Sequence, residues 1–567
     1  MSVMTLEEAS RHLTSTDHRF ELNTTNVHGV DYTTFKRAPS SLIDMLKAAR
    51  ENHGGGTDDY LVYGDERWSF DEFCAETNRM AHVLRDKLDV KPGDRVALAM
   101  RNFPEMLFLM MAIPAAGAVV VFLNGWWTTD ELDYALEDSG AQLVFADQQR
   151  LERLAPLIET KGLQLVSVRD GEDKTYQTYS ELRSAALKTE WLNTPMNTDD
   201  DFAIMYSSGT TGHPKGVVQT HRGAISAVYS WWMTLLLGPL MVEPEVLEQK
   251  VTRKPCVLIV TPLFHVTATH PMFLLSIPFG AKVVLMYKWD ADEAVRLIEQ
   301  EQVTRFLGVP TQSADLREAA IRSGATLDSL ENLSSGGAKR PASQVAELQE
   351  TFPKTAVASG WGMTETNAVG LGIWGADYVA KPGAAGRLYP PIQKLQIRDD
   401  DGNELPNGDV GELTVKSAAN MRCYLNQPEA TAEVFQDGWL STGDLAKVDD
   451  EGYVTIVDRK KNIIIRGGEN IACLDVEGAL QRHPAVVEAA AFSVPHERLG
   501  EVVGAGVQVK SGMTVTAEEL SQFLAEHIAK FKIPEHYWFR EGLLPRGATD
   551  KTDRRATRQE CLGTPND

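Results

Sequence analysis

The sequence predicts an α/β protein of more than one domain: a large N-terminal body of parallel α/β subdomains, a β-rich subdomain after it, and a small mobile α+β domain at the C-terminal end. Three observations carry this. An apolar helix-like run, a glycine turn and a Val-rich strand recur at Met106 to Leu123, Leu136 to Phe145 and Met272 to Met286; short apolar strands alternating with helices mark parallel sheets covered on both faces. After about Leu395 the texture changes to short alternating strands, separated by the hairpin signals Asp401-Gly402, Asn407-Gly408 and Glu451-Gly452. Finally, 567 residues, 43% hydrophobic and 24% charged, exceed what one core supports.

Taken in order, Met106 to Leu123 is uncharged and just long enough to span a membrane. Pro114 and Gly117 interrupt it, with Met and Leu before them and Val after, so the prediction is a buried helix, a turn and a strand, with no transmembrane segment. Phe202 to Tyr206 reads as a buried strand, and Ala224 to Leu240 as an apolar, aromatic helix. The charged stretch from Asp458 to Asn462 reads as a linker, dividing the chain into 1–457, a hinge at 458–461, and 462–567. In the last part HPAVVEAAAFSVP and EVVGAGVQVK are strand-like, and TAEELSQFLAEHIAKF is an amphipathic helix opened by a threonine cap. The polar, basic tail from Arg555 is expected to lack fixed structure.

Lys and Arg number 56 against 79 Asp and Glu, so the net charge of −23 repels nucleic acid and anionic lipid. Five cysteines without CxxC spacing suit reduced thiols, and the N-terminus lacks the apolar stretch of a signal peptide, so a cytoplasmic location is expected.

The strand at 202–206 runs into SSGTTGHPKG. Small residues let backbone amides approach a polyphosphate; the hydroxyls of Ser207, Ser208, Thr210 and Thr211 donate, Gly209 and Gly212 give room, and Lys215 adds charge. Taken alone such a cluster is equally a flexible turn between strands. Walker A spacing is absent, as are GxGxxG, HExxH and GxSxG, which leaves no signal for a dinucleotide fold, a zinc protease or a serine hydrolase.

YSSGTTGHPKG closely resembles the signature loop of the adenylate-forming ligases, the superfamily of acyl-CoA synthetases, peptide-synthetase adenylation domains and beetle luciferases. The resemblance continues in order from about Leu42 to Arg555, and is nearest to fatty-acyl and aryl-acid ligases. SSGGAKR, with Gly337 and Ala338, resembles the loop along adenine. GWGMTE resembles the segment in which an aromatic, here Trp361 among Gly360, Gly362 and Met363, stacks near the base, Thr364 contacts the α-phosphate and Glu365 holds magnesium. Asp444 in STGD would take the ribose hydroxyls, Arg459 would assist, and Lys461 would be the hinge position. TPLFHVTATH resembles the segment beside the acyl pocket and thiol tunnel, where His265 would orient the carboxylate or the thiol; a satisfied core histidine is the competing reading. The helix after the phosphate loop would line the acyl pocket with Trp231, Trp232 and Met233, although such residues are more often plain core.

RGGENI, with Gly467, Gly468 and Glu469, resembles the loop lining the pantetheine channel, and LPRGATDKTDR resembles the segment carrying the adenylation lysine, here Lys551. Two positions depart from the family pattern: Asp550 and Cys423 stand where glycine is usual. The resemblance implies ATP, magnesium and coenzyme A as reactants and cofactor, a small apolar carboxylic acid as substrate, AMP and pyrophosphate as products, and a homodimer as the assembly. A non-catalytic adenylate-binding protein of the same fold, an acyl transferase to a carrier protein, and an ATP hydrolase or kinase stand as alternatives.

Overall fold

The computed structural model of the chain describes residues 3–169, 175–207, 214–243, 253–466, 469–547 and 551–563. Among them two large sheets build the N-terminal body. The first runs, edge to edge, through Cys423–Tyr424, Lys215–Thr220, Asp201–Ser207, Val119–Phe122, Arg95–Ala99, Leu143–Asp147, Gln164–Val168 and Gln177–Thr178. Its strands are parallel from Asp201–Ser207 onward, and Lys215–Thr220 folds back antiparallel on Asp201–Ser207. The second is parallel from Asp59–Tyr63 through Lys282–Leu285, Cys256–Ile259, Arg305–Gly308 and Asn332–Ser335 to Ala356–Trp361. Antiparallel strands close both of its edges.

The recurring apolar units form as their sequence requires. Pro104–Ala115 is a buried helix, Pro114 is absorbed in its last turn, and Val119–Phe122 follows as a fully buried strand. Thr128 and Glu131 form a capping box on the helix Thr129–Ser139, and Gly140 ends it at φ +67°, a left-handed turn that glycine takes without strain. One helix, His221–Met241, is long and apolar enough to cross a membrane; in this fold Ala224, Ile225, Val228 and Met233 are buried in the core shared by the two sheets.

Beyond residue 390 an antiparallel sheet of Gln393–Arg398, Gly411–Ser417, Trp439–Val448 and Val454–Arg459 matches the expected hairpins. The last sheet joins Glu469–Ala472, Ile463–Arg466, Gly500–Val509, Val486–His496 and His536–Arg540. Thr516 caps the helix Ala517–Ala525, which stops short of the predicted Phe531. The tail from Arg555 departs from expectation, because Arg554–Leu562 is a helix. Asp553 caps it, Arg554 pairs with buried Glu477 at 2.8 Å, and Thr557 packs so closely that a Cβ at Gly506 would lie 2.7 Å from it. The basic charge that reads as solvated is spent on a buried carboxylate, whose pKa desolvation nevertheless raises to about 7.

Candidate active site

The phosphate loop is the tip of a hairpin. Ser207 pairs with Lys215 across the two strands, and residues 208–213 between them, including Ser208, Gly209, Thr210, Thr211 and Gly212, lie outside the described residues. At the hairpin base the Lys215 ammonium lies 4.7 Å from the Tyr424 ring centre, and the Tyr424 hydroxyl donates to Glu365 Oε1 at 2.9 Å. Gln219, on the returning strand, donates to the Thr364 carbonyl at 3.0 Å, and Met421 N donates to the Glu365 carbonyl at 2.7 Å. Thr364 and Glu365 are thus tied to the strand that carries Lys215. Glu365 is buried, and its Oε2 has no partner among the described residues. A fixed carboxylate oxygen beside a phosphate-binding hairpin suits a hard oxygen-seeking cation such as magnesium. Burial and then the Glu365 charge push the Tyr424 phenol up, so it stays a proton donor.

On the nucleotide side, Asp444 is buried and held from two directions. Trp361 Nε1 donates to its Oδ2 at 2.8 Å, and Arg459 Nε meets its Oδ1 at 2.6 Å. Burial raises the pKa of this carboxyl, while Arg459 and the indole N–H oppose the shift. The backbone of Gly362 passes so near Ala368 that a Cβ would lie 2.1 Å from its carbonyl oxygen, which explains the small residue between Trp361 and Met363. Gly360 pairs with Gly372 on the neighbouring strand.

Lys551 comes from near the far end of the chain and reaches this cleft. A Cβ at Gly337 would sit 2.7 Å from both Cε and Nζ of Lys551, and Gly337 has φ +77°, so only glycine fits there without strain. Ala338 beside it is exposed. The loop that holds Lys551 is closed at its base: Gly547 N donates to the Lys551 carbonyl at 2.7 Å, and Arg546 pairs with Glu488 at 2.8 Å. Asp550 lies outside the described residues. Desolvation, then the charge of Arg459, lowers the Lys551 pKa to about 8. His265 is near enough that the Lys551 charge adds to burial in depressing its pKa to about 3, and its buried Nε2 has no partner among the described residues. His270 differs: Asn367 Oδ1 at 2.9 Å and Thr269 Oγ1 at 2.8 Å satisfy both ring nitrogens, so it is a core histidine.

The remaining expected residues divide. Lys461 sits in a short turn at Lys460–Asn462, partly buried, with burial and then Arg459 lowering its pKa. Glu469 is exposed and is not gathered into the cleft; Gly467 and Gly468 lie outside the described residues. Trp231 and Met233 are buried in the shared core. Trp232, expected in the acyl pocket, is placed elsewhere: its ring packs edge-on against Phe20 and Tyr229, with Arg19 4.8 Å over it. The helical repeat turns Trp232 about 100° from Trp231, toward the N-terminal segment. Tyr424 and Gln219, which orient Glu365 and Thr364, were not singled out as site residues from the sequence. Tyr424 is 59 residues from Glu365, and no motif spacing connects them.

With this geometry in view, comparison with known proteins identifies the class. The model of the AMP-binding enzyme family matches residues 49–425, and that of the AMP-binding enzyme C-terminal domain matches 475–551; the chain belongs to this family. Among its relatives, a feruloyl-CoA synthase of an Amycolatopsis species is 33% identical over 486 residues, covering 86% of this chain and 92% of the relative. The long-chain-fatty-acid–CoA ligase FadD13 of Mycobacterium tuberculosis is 32% identical over 505 residues, covering 88% and 94%. The solved structure of o-succinylbenzoate CoA synthetase (MenE) from Bacillus subtilis, in complex with the acyl-adenylate OSB-AMP, superposes with a TM-score of 0.75 at 29% identity, over 90% of this chain and 96% of that one.

Proposed function

We propose that this chain is an acid–thiol ligase that activates a carboxylic acid with ATP as an acyl-adenylate and transfers the acyl group to coenzyme A, releasing AMP and pyrophosphate. The observation that carries this reading is the meeting of Lys551 with Gly337, in a cleft that also holds Asp444 and Arg459.

In the first step the carboxylate oxygen attacks the α-phosphorus and the bond to pyrophosphate breaks. Lys551 offers its ammonium where negative charge accumulates, in a partly desolvated site that makes the interaction strong. Asp444 accepts from the ribose hydroxyls while Arg459 and Trp361 hold it still, which orients the nucleotide before reaction. Magnesium, when bound at Glu365, supplies charge neutralisation for the phosphates. In the second step a thiolate attacks the acyl carbon and AMP leaves. Neutral His265 lies near Lys551 with a free Nε2, placed to orient the carboxylate or the entering thiol.

The division at 458–461 supports a hinge, since Lys461 is in a turn between the two last sheets, and rotation there would exchange the Lys551 loop for the loop at 466–469. All five cysteines are free thiols, which supports a reducing, cytoplasmic setting. The test is a panel of acids from acetate to palmitate and cinnamate, with ATP and coenzyme A, scored for products. Carboxylate-dependent AMP and a new thioester are expected. ADP as the product would replace this reading with a kinase or hydrolase, and binding of ATP without turnover would replace it with a sensor.

A further inference from the structure

Within the second large sheet one strand carries a charge where apolar residues belong. Arg305–Gly308 is an interior strand, paired in parallel with Cys256–Ile259 on one side and Asn332–Ser335 on the other. Interior strands of a parallel sheet are covered on both faces and are normally apolar throughout. Phe306 and Leu333 obey this and are fully buried on the outer face. By alternation Arg305, Leu307, Asn332 and Ser334 point the opposite way, toward the gap between the two sheets. All four are only partly buried, so that inner face borders space that solvent reaches.

The space leads to the reaction centre. Leu307 lies 3.8 Å from where a Cβ of Gly336 would be, and Thr267, two residues after His265, lies 4.0 Å from the same point. Gly336 adjoins Gly337, against which Lys551 rests. Arg305 is three residues back along the strand from Gly308, the partner of Ser335, and so roughly 10 Å deeper. Facing it is Tyr389. Its hydroxyl passes so close over the neighbouring strand that a Cβ at Gly372 would lie 2.2 Å away, and it is within electrostatic reach of Arg305. The Arg305 guanidinium and the Tyr389 hydroxyl have neither a hydrogen bond nor an ion pair among the described residues, and neither is sealed from solvent. The charges in reach of Arg305 are the Tyr389 phenol and the Glu331 carboxylate, while Asn332 is occupied by the Ser334 hydroxyl.

A guanidinium held in a desolvated place without a fixed partner is expensive, and its rigid fork of donors matches a carboxylate. An otherwise apolar pocket with a few convergent polar groups orients a ligand by those groups. We propose that Arg305 and Tyr389 close the far end of the acyl channel and select a carboxylic acid that bears a second carboxylate about 10 Å from the one that is activated. This rests on the ligase reading and narrows its substrate to a dicarboxylic acid with an apolar body.

The test uses the full chain with adipate, suberate and sebacate, each against the monocarboxylate of equal length, together with the monomethyl ester of suberate, scored by acid-dependent AMP release. The favoured dicarboxylate should exceed its monocarboxylate at least tenfold in kcat/KM, and the ester should fall to the level of the monocarboxylate. Arg305→Met should remove that preference while leaving turnover of octanoate within a few-fold; Arg305→Lys should restore part of it, and Tyr389→Phe should lower it several-fold. A wild type that prefers monocarboxylates or uses the ester as well as suberate, or an Arg305→Met variant that keeps the preference or loses both acids in equal proportion, overturns the assignment. Release of AMP with none of the acids would instead count against the ligase reading itself.

Discussion

Two loops of the small domain stand in contrast. The loop ending at Lys551 is inserted in the cleft against Gly337, its lysine desolvated enough to lower the pKa to about 8. The loop at 466–469 ends in exposed Glu469, and Arg466 is spent on an ion pair with Glu535 of the same domain at 2.7 Å. Both sit beside the same sheet, so one placement of that sheet presents one loop and withholds the other. The difference teaches that this arrangement is built for adenylation, and that thioester formation calls for the small domain to turn.

The largest expected effect tests that division directly. Lys551→Ala should reduce carboxylate-dependent pyrophosphate release roughly 100- to 1000-fold, the range for losing one preorganised donor. Thioester formation from supplied acyl-adenylate should remain near wild type; an equal loss in both half-reactions would break the comparison. Next, Gly337→Val should place side-chain atoms where Lys551 Nζ now lies and strain a residue at φ +77°, slowing adenylation more than thioester formation in the same pair of assays.

A smaller effect comes from pH. Lys551 has a pKa depressed to about 8, so its charged form prevails below that value and is lost above it. The kcat/KM for adenylation should therefore fall above about pH 8, by up to tenfold per unit, and Lys551→Arg should move the fall to higher pH. His265, neutral above about 3, should add no step between pH 5 and 9. The smallest effect is expected of Tyr424→Phe, which removes the hydroxyl from Glu365 Oε1 and should raise the magnesium concentration for half-maximal rate a few-fold. An unchanged magnesium dependence would separate Tyr424 from the metal.

Much of the site can be read before folding, because the residues that must approach phosphate, base or ribose sit in short contiguous segments. STGD and GWGMTE each bring one side of a pocket with them, and Trp361 and Asp444 then meet at 2.8 Å. Misreadings fell where long-range partners decide. The tail at Arg554 reads as basic and solvated until Glu477 is placed beneath it, and Trp232 reads as pocket until Phe20 covers it. The acyl channel was equally hidden, since Arg305 and Tyr389 are 84 positions apart and share no motif.

The sequence by itself determined the alternation of apolar strands and helices, the turn glycines, and the loops whose small side chains admit a nucleotide, because these follow from local sterics and periodicity. Only the tertiary structure decided which loop of the small domain occupies the cleft, which carboxylates lose their water, and which arginine is left without a partner. Those outcomes depend on desolvation and on contacts between distant segments, and neither exists until the chain has packed.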